Sequence, residues 1–181
     1  ASVAINGRDP QKLEQAREKI RQQTGSAPLA LVGDVGEPTE PARLIEQAVA
    51  AFGGLDILIT NSGGPKPGTF ETLDDADWQR AIDLCLMSHV RLIRAALPAL
   101  KQSGSAAILT VTSVSVKQPI ANLIASNSVR LATIGLTKSL ALEFGRYNIR
   151  VNSILPASTE TERIMELLQN RAQANGTTVE D

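Results

Sequence analysis

Short apolar runs of strand length alternate along this chain with longer stretches in which apolar residues recur three or four apart. This alternation constrains the fold more than any other feature. Strands separated by helices run parallel, and a parallel sheet has to be covered by those helices. The strand-like runs are Ser2–Asn6, Leu29–Gly33, Ile57–Asn61, Ala107–Thr112 and Arg150–Pro156. The helical stretches are Pro10–Gln23, Pro38–Phe52, Asp74–Lys101 and Asn122–Phe144, with Leu44, Ala48 and Ala51 marking one face of the second.

Turn chemistry punctuates the same segments. Pro10 and Pro38 stand near helix starts, where a missing N–H is tolerated. Gly25, Gly53 and Gly145 follow helix ends, where a left-handed cap is expected. The polar tail from Gln169 to Asp181 is expected to fray.

A length of 181 residues, 43% of them hydrophobic, suits a single domain over 1–181. A net charge of −1 gives no electrostatic case for nucleic acid. The single cysteine, Cys85, excludes an intrachain disulfide and a thiolate metal cluster, so no metal is expected and a cytoplasmic location is the default. No apolar run reaches the roughly 18 residues of a membrane span, and no signal segment opens the chain.

Several segments together carry a family resemblance: Val3-Ala-Ile-Asn-Gly-Arg8, Gly33-Asp-Val35, Leu55-Asp-Ile-Leu-Ile-Thr-Asn-Ser-Gly63, Thr112-Ser113, Ile134-Gly-Leu-Thr-Lys-Ser-Leu-Ala141, and Asn148-Ile-Arg-Val-Asn152 with Pro156. In this order and spacing the chain resembles the short-chain dehydrogenase/reductase family, of the type that includes the 3-oxoacyl-carrier-protein reductases. The resemblance implies an α/β, doubly wound Rossmann-type parallel sheet with helices on both faces. It also implies a dinucleotide in the crevice beyond the carboxyl ends of the strands.

Within that resemblance, Asp34 and Val35 would meet the adenine, although Asp34 also reads as an acid favoured near a helix N-terminus. Asn61, Ser62 and Gly63 would line the cofactor ribose or form a plain turn; the family's usual first asparagine is here Thr60. Pro156 would also border the cofactor. Arg8 stands where the adenosine ribose is read, and its guanidinium would pair with a 2′-phosphate, favouring NADP with NAD possible. Alternatively Arg8 is a solvated arginine paired with Asp9 or Glu14.

The catalytic positions depart from the family, whose centre combines asparagine, serine, tyrosine and lysine. Ser113 keeps its place, as a donor to a substrate carbonyl or as a local cap. The tyrosine position holds Ser126, the lysine position Arg130 and the asparagine position Cys85. Ser126 and Arg130, four apart, share a helical face. A serine hydroxyl is far less acidic than a phenol, and an arginine does not release its proton at working pH. Arg130 could still hold the cofactor ribose.

Tyr147 reads as packing, His89 as a satisfied or interfacial imidazole, and Cys85 as a small buried side chain. The family's first strand and Gly-rich loop have no counterpart in this chain, so a gap in mid-sheet and a longer natural protein are expected. Residues 152–181 would begin a substrate lid and a flexible tail.

The expectation is an NADP-dependent oxidoreductase acting on a small carbonyl or secondary alcohol. It would form a homodimer or homotetramer through helices 74–101 and 122–144, without nucleic-acid or membrane partners. The alternative is a catalytically silent relative that binds a dinucleotide or a protein.

Overall fold

The computed structural model describes residues 1–157 together with Gln169 and Thr178. Its elements are β1 (Ala4–Gly7), α1 (Pro10–Thr24), β2 (Leu29–Val32), α2 (Glu40–Phe52), β3 (Ile57–Thr60), α3 (Asp75–Ile82), α4 (Ser88–Gln102), β4 (Ala107–Val111), α5 (Ile124–Phe144) and β5 (Arg150–Ile154). Every strand pairing is parallel: β1 with β2, and β3 with β4 with β5. The strands form two sheets, of two and three strands, and β1 does not pair with β3. This matches the expected interruption in mid-sheet.

At the two-stranded sheet, helices cover both faces. A Cβ on Gly7 would touch Leu13 of α1, whereas Leu31 of β2 clusters with Leu44 and Ala48 of α2. The main core lies between the three-stranded sheet and α2, α4 and α5, where Ile45, Leu58, Leu92, Ile93, Ala96, Leu100, Ile108, Phe144 and Val151 meet. Alternation along β3 turns Leu58 and Thr60 inward and leaves Ile57 and Ile59 about three-fifths exposed (61% and 60%).

Several boundaries differ from the sequence reading for local reasons. Asp9 caps α1 by accepting from the N–H groups of Gln11 and Lys12. Pro41, rather than Pro38, occupies the first turn of α2. Gly25 and Gly53 are left-handed caps as expected (φ 76° and 77°). Gly145 is not (φ −53°); a 3₁₀ turn, Gly145–Tyr147, follows α5, and Asn148 takes the left-handed conformation instead. The helix expected over 74–101 is divided by a π-helical turn, Asp83–Met87. Such turns insert one residue and are frequent at functional sites. Asn152–Ile154 belong to β5, so the lid does not begin at Asn152; its expected continuation and the tail over 158–181 lie outside the described residues, apart from Gln169 and Thr178.

No described helix is long and apolar enough to cross a membrane. Among the described residues no group of histidine, cysteine and acidic side chains could hold a metal ion.

Candidate active site at the carboxyl ends of the strands

Each parallel strand ends on the same side of its sheet, so the loops that follow β3, β4 and β5 converge on the start of α5. Leu123, at the N-cap of α5, bridges to Gly68, with Gly68 N–H donating to the Asn122 carbonyl at 2.7 Å. An added Cβ at Gly68 would meet Leu73 at 2.5 Å and Thr72 at 2.9 Å, so a larger residue there would have to displace those side chains. Asn122 turns into the left-handed region (φ 59°) to make the junction. The preceding loop is fixed to α3 by Asp77, which is buried, caps reciprocally with Asp74, and pairs with Lys66 at 2.8 Å and with Arg80. Lys66 foremost, with Arg80, holds the Asp77 pKa down to about 2 against the opposing effect of burial.

Ser126 and Arg130 do share one helical face: Arg130 Nε donates to Ser126 Oγ at 3.2 Å. Both are buried, at 8% and 7% exposure. The same guanidinium donates from Nη1 to the Thr112 carbonyl (3.3 Å) and from Nη2 to the Gly63 carbonyl (2.9 Å). Arg130 therefore ties the ends of β3 and β4 to α5. The sequence reading missed these acceptors, because a backbone carbonyl leaves no signature in residue type. The Gly63 carbonyl also faces the Cys85 thiol at 3.7 Å, and the Cys85 carbonyl accepts from Thr133 Oγ1 at 2.6 Å. Cys85 is fully buried, as its small apolar reading expects.

Ser113 follows β4 and caps a 3₁₀ turn, Val114–Val116, by accepting the Ser115 N–H at 3.1 Å. A cap occupies a lone pair and leaves the hydroxyl proton to donate, so the two readings of Ser113 are compatible. Pro156 is beside it, its carbonyl accepting from Val114 N–H at 2.9 Å. Asn61 is exposed; Ser62 Oγ donates to the Gly63 carbonyl at 3.3 Å.

The second group of site residues lies at the ends of β1 and β2. Arg8 approaches Asp34 at 3.6 Å, with the Arg8 side chain 70% exposed. It pairs with neither Asp9 nor Glu14, because Asp9 caps α1 and Glu14 accepts from Arg17. So open a pair contributes little, and the guanidinium remains available to an anion. Asp34 closes a turn by accepting the Gly36 N–H at 2.9 Å, and Val35 packs between two core clusters.

His89, 1% exposed, is neither interfacial nor fully satisfied. Its Nδ1 meets Thr60 Oγ1 at 2.7 Å, while Nε2 has no partner among the described residues. Burial first, and the charge of Arg130 second, hold its pKa down to about 4. Tyr147 is packing, as expected: it lies 6.4 Å from Phe144, with Lys101 and Arg146 over its ring.

Comparison with known proteins agrees with this fold. The family model for short chain dehydrogenases matches residues 1–172, and the chain belongs to that family. Dehydrogenase/reductase SDR family member 4 of Oryctolagus cuniculus is 29% identical over 96% of this chain and 66% of its own length. L-Sorbose reductase from Gluconobacter frateurii, solved with NADPH and L-sorbose, superposes with a TM-score of 0.90 at 29% identity, covering 97% of this chain and 67% of that one. The NADPH-bound short chain oxidoreductase of Pseudomonas aeruginosa PAO1, described as containing an atypical catalytic center, superposes at 0.86 with 30% identity, covering 96% and 68%. The chain spans 66% of the length of the Oryctolagus cuniculus relative and 49% of the length of the 3-alpha-(or 20-beta)-hydroxysteroid dehydrogenase of Mycobacterium bovis.

Proposed function

We propose that this protein is an NADP-dependent oxidoreductase, with NAD as a weaker alternative, that exchanges a hydride between the nicotinamide and a small carbonyl or secondary alcohol. The observation that carries the reading is the convergence of Ser113, Ser126 and Arg130 beyond the carboxyl ends of β3 and β4. NADPH-bound relatives of the same fold support it. Arg8 would hold the 2′-phosphate, with Asp34 and Val35 at the adenine. Asn61, Ser62, Gly63 and Pro156 would border the nicotinamide half. The cofactor supplies the hydride when bound. Ser113 orients the substrate oxygen by donating its free proton, and Arg130 offers its remaining N–H groups to the ribose.

Arg8 furnishes the direct test. The protein is expected to bind NADPH roughly ten- to a hundredfold more tightly than NADH, the value of a charge-assisted bidentate contact, and Arg8→Asp to erase or reverse the preference. Titration of nicotinamide fluorescence measures both. Equal affinities in the unmodified protein would remove Arg8 as the reader of the phosphate.

A second reading is favoured by the same guanidinium. Arg130 is engaged with backbone, and among the described residues the side-chain hydrogen bond to Ser126 comes from Arg130 rather than from an acid, an arrangement that suits a relative that binds a dinucleotide without turning it over. Retained NADPH binding with no reduction across a panel of ketones selects that reading.

A single domain with a lid beyond β5, in the cytoplasm, completes the proposal. Assembly would use α4 and α5. Leu86 and Leu140 pack inside their own chain, whereas Leu131 and Leu142 stand exposed on α5 (53% and 87%). A homodimer or homotetramer is expected in sedimentation at micromolar concentration, and Leu142→Glu should shift it toward monomer. A monomeric unmodified protein would count against assembly.

A further inference from the structure

Arg91 stands in the first turn of α4, with its side chain 18% exposed. Its guanidinium fork is divided between two elements. Nη2 donates to Asp83 Oδ1 at 2.8 Å, and Nη1 donates to the Gly36 carbonyl at 3.3 Å, in the loop that follows β2. Asp83 opens the π-helical turn and is held from its other side by Gln79 Nε2 at 2.9 Å. Helical side chains lean toward the helix N-terminus, but eight residues correspond to about 12 Å of α-helical rise, so this pairing needs the length of an arginine. The fixed carboxylate of Asp83 aims one arm of the fork, and the other arm reaches a segment 55 residues away in the chain.

That segment is the turn that carries Asp34. The Asp34 carbonyl accepts the Glu37 N–H at 3.0 Å, and Asp34 Oδ1 accepts the Gly36 N–H at 2.9 Å. These bonds close the turn on itself. Val35 packs it against the core, and the Gly36 carbonyl ties it to α4 through a charged donor, a stronger bond than one between neutral groups. The Arg8 guanidinium approaches the same Asp34 at 3.6 Å. Leu84, beside Asp83, lies against two loops: a Cβ on Gly36 would be 3.6 Å from one of its methyls, and a Cβ on Gly63 would be 4.0 Å from the other. The π turn therefore underlies both loops, whereas the two bonds of Arg91 go to Asp83 and to the Asp34 turn.

We propose that Arg91 is a positioning residue for the adenosine half of the cofactor. It fixes the Asp34–Glu37 turn, and with it the Asp34 carboxylate and its Arg8 neighbour, without touching the cofactor itself. The inference rests on the cofactor reading above for the ligand, and on the two hydrogen bonds of Arg91 for the mechanism. Its consequence is selective: loss of Arg91 loosens the adenosine end and leaves the nicotinamide end, at Gly63 and Arg130, as it was.

The test compares Arg91→Met with the unmodified protein in three measurements. Affinities for NADPH and for adenosine 2′,5′-bisphosphate, by calorimetry, are expected to fall by the same factor, roughly three- to tenfold, the worth of one intramolecular hydrogen bond. The emission of bound NADPH at saturation, which reports the nicotinamide end, should not change. Amide hydrogen exchange at Gly36 and Glu37 should quicken in the ligand-free variant. Circular dichroism checks folding; if Arg91→Met does not fold, Arg91→Lys replaces it, because a single nitrogen cannot serve Asp83 and Gly36 together and the same selective loss is expected. Unchanged affinities or exchange in a folded variant, a loss for NADPH that the bisphosphate does not share, or altered emission of the bound nicotinamide overturns the proposal. Binding of neither ligand by the unmodified protein defeats the cofactor reading and this inference with it, whereas binding of both without a selective loss in the variant defeats this inference alone.

Discussion

Ser126→Tyr combined with Arg130→Lys is expected to raise the rate of neutral-ketone reduction by roughly 10²–10⁴-fold, the usual contribution of a positioned general acid. A phenol has a pKa near 10 that a neighbouring cation can lower toward neutrality, whereas a serine hydroxyl stays protonated throughout the working range. The exchange carries a structural cost. Lysine has one nitrogen where arginine has three, so it cannot reach Ser126, Thr112 and Gly63 together. Ser126→Tyr alone is the informative control, because Arg130 still supplies the charge that favours the phenolate. Single-turnover kinetics with NADPH and cyclohexanone measure each variant. Vigorous reduction by the unmodified protein that the double change abolishes would show that serine and arginine form a working centre of a different design.

Acidification from pH 7 toward pH 4 is expected to remove about 3 kcal/mol of stability through His89 alone. The group is 1% exposed, and its pKa lies at about 4 in the folded protein against an ordinary 6.5. Because the folded value is the lower, the unfolded chain binds the proton first as pH falls. The stabilisation is therefore complete above pH 6.5, declines between 6.5 and about 4, and levels off below. Desolvation of the ring is the main cause, with repulsion from Arg130 adding to it. Urea unfolding at several pH values checks the slope, and His89→Leu should flatten it over this window. Identical slopes in both proteins would mean that His89 is protonated without penalty, by a water or a partner at Nε2.

The arrangement of strands and helices could be read from the sequence because it depends on periodicity, which local composition records. All five strands and the helices of this part of the chain fall where the apolar pattern places them, and the left-handed caps at Gly25 and Gly53 follow from glycine alone. Gly145 did not follow that rule, because the chain leaves α5 through a 3₁₀ turn before Asn148 reverses it. The π turn at Asp83–Met87 was hidden for a related reason: a single inserted residue barely disturbs the apolar period but shifts Cys85 against Gly63 and Thr133.

For the site, the sequence by itself determined which residue types stand at the carboxyl ends of the strands, and that Ser126 and Arg130, four apart, share a face. Only the tertiary structure decided what Arg130 does there. Its hydrogen-bond partners, the carbonyls of Thr112 and Gly63, lie 18 and 67 residues away in the chain. Main-chain acceptors have the same chemistry in every residue, so no pattern of side chains can announce them. That one nitrogen of His89 has no partner among the described residues is likewise a property of what surrounds a group in space, and it exists only once the strands have brought their ends together.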